Sequence, residues 1–281
     1  HQTVEHNKMA ELISSLEASS DYQARRAKIT TFNNENTLLK KGLALTPVKF
    51  GISFTVQHLN QAGALVHVYT DGTIHLNHGG TEMGQGLYTK VAQIVAEEFQ
   101  VDVDTVGGSA TRTDKVPNTS PTAASSGTDL NGKAAQAAAQ TIKARLIAFA
   151  CEKYQVDESA VKFTHNQVVV GSEKFSFAEF VQQAYMGRVS LSSTGFYKTP
   201  KIHFDRATGK GRPFFYYSTG AAVSEVLIDT LTGEYKLLRA DILHDVGHSL
   251  NPAIDIGQIE GAFIQGMGWL TTEELMWNEQ G

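Results

Sequence analysis

The stretch Gly79-Gly80-Thr81-Glu82-Met83-Gly84-Gln85-Gly86 stands between the strand-like segment Thr73-Ile74-His75-Leu76 and an apolar helical pattern of Leu87, Val91, Ile94, Val95 and Phe99. Strand, glycine-rich turn and helix start, in that order, offer backbone N–H groups and the positive end of a helix dipole to an anion. The glycines let the backbone adopt dihedrals closed to other residues and come close to a ligand. From the mouth of this turn Gln85 is expected to project a carboxamide, which both donates and accepts. An ordinary tight turn is the competing reading. The stretch is neither a Walker A loop, since no Gly-Lys-Ser/Thr follows, nor a dinucleotide fingerprint, since the third glycine is missing at the required offset.

A second run, Pro117-Asn118-Thr119-Ser120-Pro121-Thr122-Ala123-Ala124-Ser125-Ser126-Gly127-Thr128, leads into an Ala-rich helix expected over 130–154. Small side chains let backbone amides crowd a ligand, and Ser or Thr hydroxyls cap helices or bind phosphate. Here the competing reading is a long N-cap loop.

Together with Lys49-Phe50-Gly51-Ile52-Ser53-Phe54-Thr55, Leu59-Asn60-Gln61-Ala62-Gly63-Ala64-Leu65 and Asn251-Pro252-Ala253-Ile254-Asp255-Ile256-Gly257-Gln258, these runs span nearly the whole chain. In that order they closely resemble the molybdenum-binding large subunit of the molybdenum hydroxylase family, in its xanthine dehydrogenase branch. The flanks of Phe54-Thr55 resemble that branch more than the aldehyde or carbon monoxide branches.

The resemblance implies a molybdenum–molybdopterin cofactor, the metal held by the pterin's dithiolene and not by side chains. It implies oxidation of hypoxanthine or xanthine toward urate, with water as the oxygen source, in purine catabolism. Electrons would leave through 2Fe-2S clusters and FAD on other domains or subunits to NAD. By position, Gln85 would hydrogen-bond near the metal. Thr122, Ala124, Ser125 and Ser126 would lie along the pterin and metal, Ala124 beside molybdenum, and Gln258 would clamp the cofactor's polar end. Phe54 would pack on the purine ring and Thr55 would hydrogen-bond it. Each has a plainer alternative: a core aromatic, an ordinary strand residue, a helix cap. No catalytic residue is assigned. The family's general base sits in a Gly-Glu-Pro-Pro-like motif, and the Gly-Glu at Gly233-Glu234 is followed by Tyr235. Glu82 is read as a turn position. The rival functions are an aldehyde or other N-heterocycle hydroxylase of the same family, and an inactive scaffold fragment without cofactor.

Composition agrees with a folded domain: of 281 residues, 41% are hydrophobic and 19% charged, enough for a sizeable core. A net charge of −5 argues against a nucleic-acid surface. No run reaches membrane-spanning length. The single cysteine, Cys151, forms no internal disulfide and suits the cytoplasm; it is expected as a buried small hydrophobe. An oligomer is expected for the whole enzyme.

The fold class expected is α+β, mixed sheets with packed helices of the molybdopterin-binding type. Residues 1–40 are expected as the helical tail of a preceding molybdopterin-binding subdomain, and 41–281 as a second one. Helices are expected within 5–40, ended by Gly42, with Arg25, Arg26, Lys28, Lys40 and Lys41 on a solvated face. A hairpin turned by Asp71-Gly72 should set Val68 opposite His75 and His67 opposite Leu76, so that His67 and His75 point to opposite faces and cannot share a metal. Residues 272–277 alternate like a strand without a return strand, which suggests an excised fragment.

Overall fold

The computed structural model describes residues 2–115 and 119–281. Pro117 and Asn118, quoted above, lie outside them. The chain divides into two compact units, one of Ser53–Phe215 with Leu250–Ile254, the other of Gln2–Ile52, Tyr216–Ser249 and Asp255–Gly281.

In the second unit, helices α1 (Met9–Ser19) and α2 (Tyr22–Glu35) precede the long strand β1 (Leu39–Ile52). Leu12 and Leu16 of α1 pack on Ala221 and Val223 of another long strand, Tyr216–Asp229. That strand pairs antiparallel with β1 on one side and with Tyr235–Asp245 on the other. Gly42 therefore does not end a helix: it pairs with Val226 inside β1. The basic residues are not one solvated face either. Lys40 and Lys41 belong to β1, and Arg25 is buried at 8% exposure. Its guanidinium pairs with Glu225 at 2.8 Å and Asp241 at 2.8 Å and donates to Ser20 O at 3.1 Å. Lone periodicity misplaced it because the carboxylates that receive it lie 200 and 216 residues away.

The first unit is built on a sheet whose central strands are β2 (Gln61–Val68) and β3 (Ile74–His78), with β4 (Val106–Gly108) parallel to β3 on one edge. Helix α3 (Leu87–Phe99) follows the glycine turn, and α4 (Lys133–Tyr154) follows the small-residue run. Val91, Val95 and Phe99 of α3 are fully buried, at the helical spacing read from the sequence. A small sheet of β5 (Val161–Thr164), β6 (Gln167–Val170) and β7 (Glu173–Ser176) precedes α5 (Phe177–Met186). Ser176 and Glu179 form a capping box at the start of α5. Strand β8 (Ser192–Lys198) closes the main sheet beside β2, and β9 (His203–Asp205) pairs with β10 (Lys210–Arg212). The second unit's later strands are β11 (Tyr216–Asp229) and β12 (Tyr235–Asp245), and α6 spans Pro252–Thr271.

The alanine run serves close packing. Ala134, Ala135, Ala138 and Ala139 are fully buried. A Cβ at Gly195 of β8 would lie 2.0 Å from Ala134 O and 2.5 Å from Ala138 N, so only glycine lets helix and sheet backbones come this near. Cys151 is half-buried against the same core.

The hairpin register differs from expectation. Tyr69 N–H donates to Thr73 O at 2.8 Å, which leaves the three-residue loop Thr70-Asp71-Gly72 with Gly72 at φ 85°. Asp71 Oδ1 accepts from Thr73 N–H at 2.9 Å and stabilises this longer turn. One residue of slip flips every side chain, so His67 stands opposite His75 with ring centroids 6.2 Å apart. His67 and His75 therefore share one face of the ribbon, against the expectation of opposite faces. Residues 272–277 carry no strand. No helix among the described residues is long and apolar enough to cross a membrane.

Candidate functional site

The first unit joins the two runs that the sequence singled out. Thr81 N–H donates to Thr122 Oγ1 at 2.8 Å, fastening the glycine turn to the small-residue loop. Ser120 Oγ donates to Gln61 O at 3.0 Å, which anchors the same loop to the start of β2. The neighbouring Asn60, 2% exposed, staples the 54–57 segment: its Oδ1 accepts from Phe54 N–H at 2.7 Å and its Nδ2 donates to Phe54 O at 2.9 Å. A framework of hydrogen bonds and adjacent residues thus runs from Phe54 through Asn60, Gln61, Ser120, Thr122 and Thr81 to the turn that carries Gln85. Phe54 is half-buried and Thr55 exposed at one end of it. No sequence pattern marks Asn60 as a staple; a polar residue just before an apolar strand is the local signal.

The turn is not the open anion site the sequence suggested. Glu82 folds back into it, Oε1 accepting from Gly84 N–H at 3.0 Å and Gly86 N–H at 2.9 Å, and Oε2 from Tyr88 N–H at 2.9 Å. Partial burial works to raise the Glu82 pKa, but these N–H bonds, with that of Met83, outweigh it and hold the carboxyl below its usual range. Gln85 does not project freely either: its Oε1 accepts from Met83 N–H at 2.6 Å and its Nε2 donates to Thr81 O at 2.9 Å. The N–H donors are those the sequence points to, but Glu82, a residue of the motif itself, satisfies them.

Behind the turn His78 is 6% exposed, and its Nδ1 accepts from Gly80 N–H at 3.1 Å. Burial pushes its pKa down to about 4, against a smaller upward pull from Glu82, so the ring is neutral at pH 7. Tyr88 meets it edge-on at 5.1 Å. Both border a cavity of about 440 Å³ with Leu76, Val106 and Ser109. The sequence draws notice to His78 only as one of three hairpin histidines with His67 and His75, although the period of β3 places it on the buried face with Leu76.

The small-residue loop enters α4 through a π-helical turn, Thr128–Gly132, with no side-chain cap bond. Ala124 and Ser125 both hold left-handed dihedrals, φ 55° and 52°. For residues with a Cβ this conformation costs about 1–3 kcal/mol each and persists where surrounding structure imposes it. Ser126 is buried, its hydroxyl donating to Ala123 O at 3.1 Å, whereas Ser125 is exposed. Beside the turn the buried Asn131 donates to Gly127 O at 2.9 Å while its Oδ1 has no hydrogen-bond partner among the described residues. A Cβ at Gly80 would lie 2.5 Å from Leu87 Cδ2 and 2.8 Å from Asn131 Nδ2. Gln258 belongs to the second unit, exposed on α6.

These groups suit a pterin: uncharged hydroxyls, amides and carboxamides on a strained, close-approaching backbone, with an unsatisfied buried acceptor next to it. Among the described residues no cluster of three or more His, Cys, Asp or Glu could hold a metal ion.

Residues 15–281 match the family model of the molybdopterin cofactor-binding domain. Xanthine dehydrogenase/oxidase of Felis catus is 52% identical over 94% of this chain, and xanthine dehydrogenase of Oryza sativa subsp. japonica 50% identical over 94%. The chain spans 18% of the length of each. Among solved structures, carbon monoxide dehydrogenase from Oligotropha carboxidovorans superposes with a TM-score of 0.83 at 21% identity, covering 99% of this chain and 35% of that one. Quinoline 2-oxidoreductase from Pseudomonas putida gives 0.83 at 20% identity, covering 99% and 36%. The α+β fold read from the sequence is thus shared with these proteins. The chain belongs to the molybdopterin cofactor-binding domain family.

Proposed function

We propose, with that membership as the premise, that the chain is the molybdopterin-binding segment of a purine hydroxylase that oxidises hypoxanthine and xanthine toward urate. It would work with 2Fe-2S and FAD domains or subunits, in an oligomer. The observation that carries the reading is the Thr81–Thr122 hydrogen bond, which unites the two runs assigned to the cofactor. The near-50% identity to proteins named xanthine dehydrogenase supports the purine branch.

When bound, the molybdenum–pterin group supplies the redox centre that takes up the electron pair of the oxidised carbon. This chain's residues bind and orient. Gln85 keeps one further donor and one acceptor position beyond its bonds to Thr81 and Met83, and these reach toward the cofactor. Thr122, Ser125 and Ser126 lay hydroxyls and backbone along the pterin, while Ala124 is small enough to sit beside the metal. Gln258, in the second unit, is assigned to the cofactor's polar end by the resemblance alone. Phe54 offers a flat apolar face to a flat purine ring, and the Thr55 hydroxyl orients it. We also read residues 1–40 as the tail of a preceding subdomain and 41–281 as a second molybdopterin-binding subdomain.

The test uses the enzyme that contains this chain. Molybdenum near one per chain together with urate from xanthine is expected, and a metal-free enzyme overturns the reading. Phe54→Ala should weaken purine oxidation by about 0.5–1.5 kcal/mol beyond lost area, with molybdenum content unchanged. If activity falls only in step with folded protein, Phe54 is a core residue and the pocket assignment fails.

A further inference from the structure

A glycine-rich turn is an unusual place for a carboxylate to be fully engaged. Gly84 and Gly86 have φ of 101° and 74°, so the turn costs little sterically but is entropically loose. Something has to fix it. The Glu82 side chain receives three backbone N–H groups from within six residues of itself, Gly84, Gly86 and Tyr88, at 2.9–3.0 Å. It caps α3 from the preceding turn, since Gly86 at the helix start has no side chain to do so. Between the capped residues lies Gln85, whose two carboxamide atoms are held by Met83 and Thr81. Thr81 in turn is fastened to Thr122. The residue that orders the turn therefore also fixes the rotamer and direction of Gln85 and the seat of the small-residue loop.

We infer that Glu82 is a positioning residue: its carboxylate is the internal anion of the glycine turn and sets the aim of Gln85 at the molybdopterin. This rests on the cofactor reading above. It also separates this turn from phosphate-binding turns, because a ligand phosphate would displace or repel the carboxylate already bound by the same N–H groups. The turn thus recognises its ligand through the neutral carboxamide of Gln85.

The test compares Glu82→Ala and Glu82→Gln with Glu179→Ala in the enzyme containing this chain. Glu179 caps α5 through the Ser176 capping box and has no tie to the turn, so it reports the cost of losing a helix cap alone. Three readouts are taken: kcat and KM, molybdenum per chain, and amide hydrogen exchange at Gly84, Gly86 and Tyr88. Glu82→Ala is expected to lower kcat or molybdenum content by at least the roughly 2- to 12-fold that loss of one Gln85 hydrogen bond would cost, because the Thr81 seat of the small-residue loop is loosened with it. KM should move less, and exchange at the three amides should accelerate. Glu82→Gln, which keeps one acceptor oxygen and the side-chain length, should lie between Ala and wild type. Glu179→Ala should leave kcat and molybdenum unchanged. The inference is overturned if Glu82→Ala keeps wild-type exchange at the three amides, or if its kcat and molybdenum match those of Glu179→Ala. A wild-type enzyme without molybdenum would instead overturn the cofactor reading, while the exchange measurement would still decide whether Glu82 orders the turn.

Discussion

Each unit contains a set of charged groups satisfied in an opposite way. In the first unit one carboxylate, Glu82, sits in a ring of backbone N–H groups, all within six residues, and is itself exposed. In the second a buried guanidinium, Arg25, is held between Glu225 and Asp241, whose side chains are 13% and 19% exposed. The first contact is local and solvated, so it shapes a loop and leaves global stability largely to the core. The second bridges α2 to β11 and β12 across some 200 residues and is desolvated, so it bears on whether the unit holds its helices. Chemically similar acids thus do different work because of sequence separation and burial, and each can be tested by removing its partner.

Arg25→Ala should have the largest effect. Breaking a buried pair by removing one partner typically costs about 3–5 kcal/mol, because the remaining charges lose their compensation. Lys41 at 3.5 Å from Glu225 and Arg239 at 2.6 Å from Asp241 stay in place and hold the loss to the lower end, about 3 kcal/mol. Chemical denaturation of the 281-residue chain measures it. A change under about 1 kcal/mol, the range of exposed pairs, would erase the contrast between the two clusters.

His78 provides a pH test on the first unit. Its folded pKa of about 4 lies below the usual 6.5, so between these values the unfolded chain binds the extra proton. Stability is therefore intact above pH 6.5 and falls as the pH drops toward 4, by about 3 kcal/mol at the bottom of that window at 1.36 kcal/mol per pKa unit. Glu82 and Asp241 act lower: burial pushes both upward, but hydrogen bonds hold both below their usual range, so their stabilisation is lost only as pH falls below that range. His78→Gln should make the upper window shallower, leaving the smaller slopes from His75 and His244, whose pKa values burial also lowers, and should leave the lower window unchanged. An unchanged slope between pH 6.5 and 4 would mean that His78 is charged or open to water in the folded state.

How much of this was legible follows from the range of each contact. The helices α3 and α4 were readable, because they depend on local period and side-chain size. The pairing of His67 with His75 was not, because a three-residue loop and a two-residue loop use the same Asp71-Gly72 and differ only in which backbone pair closes. Arg25 looked like a surface cation because its partners are remote. At the site, motif and resemblance found both loops and the residues Gln85, Thr122, Ala124, Ser125 and Ser126, whose roles remain proposals. They did not find Asn60, His78 or the use of Glu82. Those three serve the chain's own backbone and burial, and a ligand-centred reading of a motif passes over them.

Gln85→Ala should give the smallest effect and sharpens the comparison most. Its carboxamide accepts from Met83 N–H and donates to Thr81 O at the surface, so water replaces both bonds when it is removed, and stability should change by less than about 0.5 kcal/mol. Glu82 still holds Gly84, Gly86 and Tyr88 in the variant, so the turn keeps its shape. What is lost is the neutral group proposed to face the cofactor, worth about 0.5–1.5 kcal/mol for one hydrogen bond, or roughly a 2- to 12-fold fall in turnover. The measurement pairs thermal unfolding with kcat per bound molybdenum. Lost turnover at unchanged stability separates the group that meets the ligand from the carboxylate that orders the turn. Unchanged turnover at full molybdenum content would mean that Gln85 only completes the loop, and the cofactor contact would then have to come from the Thr122–Ser126 side alone.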